Sequence, residues 1–184
     1  MTAELCCLTV RVDTTRWSET VLTEVDLVVP AGQITAVLGG PGAGKSMAAS
    51  ALAGRLPATA QSRGQVLIDG EAADLLPHQH SGGQIQRAAL AAALLPAPRV
   101  LIADGPTNSL DMGTAYGVWR SLRDYADSGA AVLVVSNEVR MLTHGGVADR
   151  MVILHQGRGL AAGTTAELGK SIDTFVRTLL RSAF

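Results

Sequence analysis

Apolar residues along the chain come in two rhythms. Near the N-terminus they partly alternate with polar ones, over residues 5–12 and 21–29, which predicts two strands. Residues 13–18 between them have turn chemistry. Further on, apolar residues form short unbroken runs at 34–38, 100–103 and 131–135. Such runs suit strands buried on both faces, as in a parallel sheet. Between these runs the spacing turns helical. Residues 45–53 predict a helix stopped by Gly54 and Pro57, and 111–127 predict another. A helix over 83–95 would be capped by Ser81 and ended by Pro96 and Pro98. Shorter elements are expected at 65–68 (strand), 138–142 (helix) and 150–154 (strand). From Ile172 the apolar residues fall at Phe175, Val176, Leu179 and Leu180, which is helical spacing. That face can pack on the chain's own core, the reading we favour, or receive a partner. Buried strands alternating with helices predict an α/β fold with a mostly parallel sheet, the first strands forming an antiparallel side layer. Residues 1–168 are expected to form one domain and 169–184 a C-terminal helix.

Composition narrows the function classes. The chain has 184 residues, 47% of them hydrophobic and 17% charged, with a formal net charge of -1. That is enough for a packed core and unlike a disordered chain. General nucleic-acid binders carry a basic excess, so no nucleic-acid partner is expected. No apolar run approaches the ~18 residues of a membrane span, and no signal-like segment is visible at the start. The expectation is a soluble cytoplasmic protein. Cys6 and Cys7 are adjacent, so in a strand they would face opposite ways and bridge only under strain. They read as two small apolar residues. His78 and His80 lack the further ligands of a metal site.

The chemistry begins after the 34–38 run. Gly39-Gly40-Pro41-Gly42-Ala43-Gly44-Lys45-Ser46 fits G-x-x-x-x-G-K-[ST], the phosphate-binding P-loop. Only two of the 15 basic residues are lysines, Lys45 and Lys170, and one of them stands at the motif's lysine position. Glycines let successive N–H groups turn inward as an anion nest. The helix N-terminus adds partial positive charge. Lys45 is placed to reach the β- and γ-phosphates, and Ser46 and Asp104 to serve Mg²⁺. Asp104 closes the apolar run 100–103, at the end of a strand where α/β sheets bind ligands. Ser81-Gly82-Gly83-Gln84 opens the expected 83–95 helix, a second phosphate-binding device or simply a capped helix.

In this order the motifs resemble the ATPase subunits of ATP-binding cassette (ABC) transporters, over residues 5–168. Residues 39–46 match Walker A, Ser81 to Gln84 the core of the L-S-G-G-Q signature, and Val100 to Asp104 Walker B. Pro106-Thr107-Asn108-Ser109-Leu110-Asp111 is similar to the stretch ending in the D-loop. The resemblance implies an ATP-binding subunit of a P-loop fold, with ATP and Mg²⁺ as ligands. It implies a second cassette as partner, in a homo- or heterodimer, each ATP lying between Walker A of one chain and the signature of the other. Ser81, Gly82, Gly83 and Gln84 would then face the partner's ATP. It also implies a transmembrane permease subunit and a place at the inner face of the membrane. Adenine stacks on an aromatic near the end of the first strand, where Val12 or Trp17 falls. Trp17 is favoured because only an aromatic offers a stacking face, although a Trp of the surface or core reads equally well.

Four positions depart from the family pattern. The glutamate that follows the Walker B aspartate is Gly105, which has no group to orient water. The histidine after the next strand is Asn137, which can donate a hydrogen bond but not shuttle a proton. Only ten residues, 71–80, separate Gly70 from Ser81, where the family holds its Q-loop and most of a helical subdomain. His80 replaces the signature leucine. These changes spare phosphate binding and predict impaired hydrolysis, with no catalytic residue assigned. An alternative reading is a nucleotide-binding regulatory or scaffold module without transport coupling.

Overall fold

The computed structural model describes residues 2–72, 97–143 and 145–181. The expected 83–95 helix, its Ser81-Gly82-Gly83-Gln84 start and the His78/His80 pair lie outside them.

Two sheets form the described molecule. β1 (Ala3–Asp13), β2 (Ser18–Val29), β4 (Ala60–Ile68) and β5 (Glu71–Ala72) make an antiparallel sheet in the order β2-β1-β4-β5. β3 (Ile34–Leu38), β6 (Val100–Asp104), β7 (Ala131–Val135), β8 (Arg150–His155) and β9 (Arg158–Gly163) make the second sheet, ordered β6-β7-β3-β8-β9. Its first four strands run parallel and β9 antiparallel. The α/β class with an antiparallel side layer is therefore as expected.

The imperfect alternation of the first strands has a physical cause. In β1 the buried positions are Ala3 and Leu5, then Leu8, Val10 and Val12; in β2 they are Leu22, then Val25, Leu27 and Val29. Each series slips phase once, and the ladder between β1 and β2 is irregular there. Cys7 and Glu24 stand at the slips with φ of 47° and 49°. An extra residue in a bulge lets the next apolar side chain return to the core face. Gly64 on β4 faces the first bulge with φ of 100°, where a Cβ would lie 2.6 Å from the Cys7 carbonyl oxygen. The adjacent thiols are both free, Cys6 half-buried and Cys7 exposed.

The parallel strands bury both faces. Val37, Leu133, Val135, Val152 and Leu154 point toward the antiparallel sheet and α1 (Lys45–Leu52). Ala36, Leu38, Val132, Val134 and Ile153 point the other way. There they meet α2 (Met112–Asp127), α3 (Val139–Thr143), α4 (Thr165–Leu168) and α5 (Thr174–Arg181). Asp111 caps α2, its carboxylate accepting from the Thr114 N–H at 3.0 Å. Of the expected C-terminal apolar face, Val176 and Leu180 are buried in this core, while Ile172 is exposed.

Several boundaries differ from expectation. β4 begins at Ala60 rather than 65, because its first half is exposed and held by the β1 ladder alone. The apolar rhythm does not announce β9, an edge strand of small or exposed residues beginning at Arg158, where the sequence resembles the family's last core strands.

Candidate nucleotide site

The carboxyl ends of β3, β7 and β6 lie side by side. Val135 is paired with Val37 on one side and Asp104 on the other. The 39–46 loop leaves β3, Ser136 and Asn137 leave β7, and Asp104 ends β6. One edge therefore gathers the three candidate groups, where open α/β sheets bind ligands.

The loop needs its glycines. Gly39 has φ of +150°, and a Cβ there would sit 2.2 Å from the Leu154 carbonyl oxygen. Gly44 has φ of +93°, and its Cβ would meet Leu22 Cδ2 at 2.5 Å. Gly44 is the N-cap of α1 and supplies no side-chain cap. The first-turn N–H groups of Lys45, Ser46 and Met47 have no intrahelical acceptor. Lys45 Nζ donates to the carbonyls of Gly39 (2.9 Å) and Gly40 (2.8 Å), arching over the loop. Burial pulls its ammonium below the ordinary lysine range, and the Asp104 carboxylate partly offsets this. Ser46, Gly40, Pro41 and Gly42 are accessible or partly so, and Ala43 packs into the core. Asp104 is exposed at its strand end. A nest lined by N–H groups and a lysine, with a hydroxyl at Ser46 and a carboxylate at Asp104, fits a Mg²⁺-nucleotide in its donor chemistry.

Gly105 is buried with φ of +59°. Its N–H donates to the Val135 carbonyl at 2.8 Å, and its own carbonyl accepts from the Asn108 N–H at 3.1 Å. This turn folds the Asn108 carboxamide back, so that a Cβ at 105 would lie 2.2 Å from Asn108 Nδ2. Asn137 is exposed at the same edge. Trp17 is 51% exposed at the β1–β2 hairpin, where Thr14 ties the turn by accepting the Trp17 N–H at 3.0 Å.

Sequence reasoning overlooked the support beneath Asn137. The Glu138 carboxylate accepts from Thr107 Oγ1 at 2.6 Å and from Trp119 Nε1 at 3.2 Å. Thr107 and Trp119 are 2% and 1% exposed. The available signal was a tryptophan on the apolar face of a helix, whose N–H needs a buried acceptor.

The glycine loop between β3 and α1 gives the chain a P-loop fold. Solved structures agree on the fold. An ATP-binding subunit of an ABC transporter superposes with a TM-score of 0.69 at 18% identity, covering 100% of this chain and 99% of that one. A dimeric ATP-binding cassette bound to ADP and Pi gives 0.73 at 18% identity, covering 89% and 98%. The ABC transporter family model matches residues 22–75. Among curated proteins, the xylose import ATP-binding protein XylG of Yersinia pseudotuberculosis is 35% identical over 98 residues, 53% of this chain and 19% of its own length. The energy-coupling factor transporter ATP-binding protein EcfA of Methanothermobacter thermautotrophicus is 33% identical over 105 residues, 57% of this chain and 33% of its own. The aligned stretch thus spans a third or less of these relatives. The chain has the fold of ABC-type ATP-binding cassettes, and its residues 22–75 match the ABC transporter family model.

Proposed function

We propose that this chain binds Mg-ATP at the 39–46 loop as the ATP-binding subunit of an ABC-type transporter, and that its own site hydrolyses ATP poorly. One observation carries the reading: Lys45 arches over the glycine loop beside Asp104, while the residue next to Asp104 is a glycine. The loop N–H groups and Lys45 would hold the phosphates. Ser46 and Asp104 would hold Mg²⁺, whose charge when bound offsets that of the phosphates. Asn137 would donate to the γ-phosphate, and Trp17 would offer its exposed face to the adenine. A general base typically contributes 10²–10⁴-fold in rate, and Gly105 offers none.

The domain acts in a pair. Ser81, Gly82, Gly83 and Gln84 would complete the site of a second cassette that carries its own glutamate, and a permease would bind the pair at the inner face of the membrane. The dimeric cassette among the similar structures supports pairing. A second reading, a regulatory or scaffold module, is favoured by Gly105 and by the ten residues between Gly70 and Ser81.

Mg²⁺-dependent phosphate release, with Lys45→Ala as blank, separates these. The expected result is no turnover alone and turnover with a glutamate-bearing partner that Ser81→Arg abolishes. Turnover of the isolated chain well above the blank would overturn the impaired-site reading. Binding without any partner-dependent turnover would favour the regulatory module.

A further inference from the structure

The support under Asn137 reaches three elements. Glu138 follows Asn137 directly and ties the β7 end to Thr107, three residues after Asp104, and to Trp119 in the middle of α2. Its own N–H donates to the buried Ser136 Oγ at 3.0 Å, so the 136–138 turn is braced on both sides of Asn137. The Val139 N–H donates to the Asn137 carbonyl at 3.0 Å, fixing the backbone as α3 begins. Both carboxylate oxygens carry a donor, so Glu138 is engaged as a brace and not offered as a base. An exposed carboxamide on a loose turn would lose its orienting power through rotational freedom, and a part-buried, charge-assisted pair of hydrogen bonds to the next residue restricts that freedom.

We propose that Glu138 is a positioning residue that clamps the 136–138 turn to Thr107 and Trp119, so that Asn137 is held toward the γ-phosphate position and the domain prefers ATP over ADP. The inference rests on the nucleotide-binding reading above. Its consequence is selective. The loop and Lys45 would bind the α- and β-phosphates of either nucleotide; the clamp would act on the third phosphate alone.

The test is calorimetric titration of the chain with Mg-ATP and Mg-ADP. Glu138→Ala is expected to lower the ATP-over-ADP preference at least about threefold, the lower end of one net hydrogen bond, with ADP affinity unchanged. Glu138→Gln is expected to restore the preference, because its amide can donate to Thr107 Oγ1 and its carbonyl can accept from Trp119. Trp119→Phe and Thr107→Val, which each remove one donor, are expected to give smaller losses and serve if Glu138→Ala does not fold. Asn137→Ala should match Glu138→Ala, and the double variant should add nothing further. An unchanged preference in Glu138→Ala while Asn137→Ala lowers it would overturn the clamp. So would equal losses for both nucleotides, the mark of a merely structural role. No nucleotide binding in the parent chain, or an Asn137→Ala variant with the parent's preference, would instead remove the underlying reading and the clamp with it.

Discussion

At position 105 a glycine stands in a tight turn. The backbone lies at φ of +59°, and the Asn108 carboxamide fills the space where a side chain would start. Glutamate there would meet both the left-handed backbone, costing about 1–3 kcal/mol, and a displaced Asn108. Gly105→Glu alone is therefore expected to lower the melting temperature and raise turnover less than tenfold, against the 10²–10⁴-fold of a well-placed base. Adding Asn108→Ser should recover part of both, read by thermal melts and phosphate release in the same preparation. Lys45 gives a pH signature. Burial depresses its pKa in the free domain, and bound phosphate would raise it again. Affinity for Mg-ATP should be full below the free Lys45 pKa and begin to fall as pH rises through it, from below the ordinary 10.5. Titrations from neutral to alkaline pH check this; Lys45→Arg, which does not titrate there, should flatten the profile. The glycine loop after β3, with Lys45 opening α1 and Asp104 closing β6, was legible in the sequence. The Asn108 contact and the Glu138 clamp were not, because a turn and a neighbouring helix create them.

Elements were legible where one face is buried and the rhythm is strong. The three unbroken apolar runs became β3, β6 and β7 within a residue of the expected bounds. The phase slips in β1 and β2 blurred their pattern, since each bulge inserts one residue between buried neighbours. β9 and the first half of β4 follow the hydrogen-bond ladder and carry no core-facing stripe to read. Gly64 holds the β1 bulge: Gly64→Val is expected to destabilise the domain by at least about 1–3 kcal/mol through its φ of +100° and the Cys7 carbonyl, measured by denaturant melts. At α2 the Asp111 carboxyl is held below its ordinary value by hydrogen bonds from Thr114. A carboxyl depressed on folding stabilises above its unfolded pKa of about 3.8 and loses that effect as pH falls through the folded value. Asp111→Ala should therefore lower the melting temperature at pH 7 and lose the difference under strong acid.

The two apolar layers fix one edge of the molecule. The first layer seats α1 and the antiparallel sheet on one face of the parallel strands, and the second seats α2 and α5 on the other. The carboxyl ends of β3, β7 and β6 are thereby held in register, with the glycine loop, Asn137 and Asp104 side by side. The Arg123 guanidinium braces the opposite end of the sheet, pairing with Asp149 at 2.6 Å and donating to the Gly32 carbonyl at 3.1 Å. No helix among the described residues is long and apolar enough to cross a membrane. This edge is proposed to bind a Mg-nucleotide through the loop lysine. Calorimetric titration with Mg-ATP tests it most directly, with Lys45→Ala alongside. Saturable one-to-one binding is expected, weakening at least about tenfold in the variant, as when a partly buried cation leaves a phosphate. Absence of binding in the parent, or equal affinity in Lys45→Ala, would contradict it.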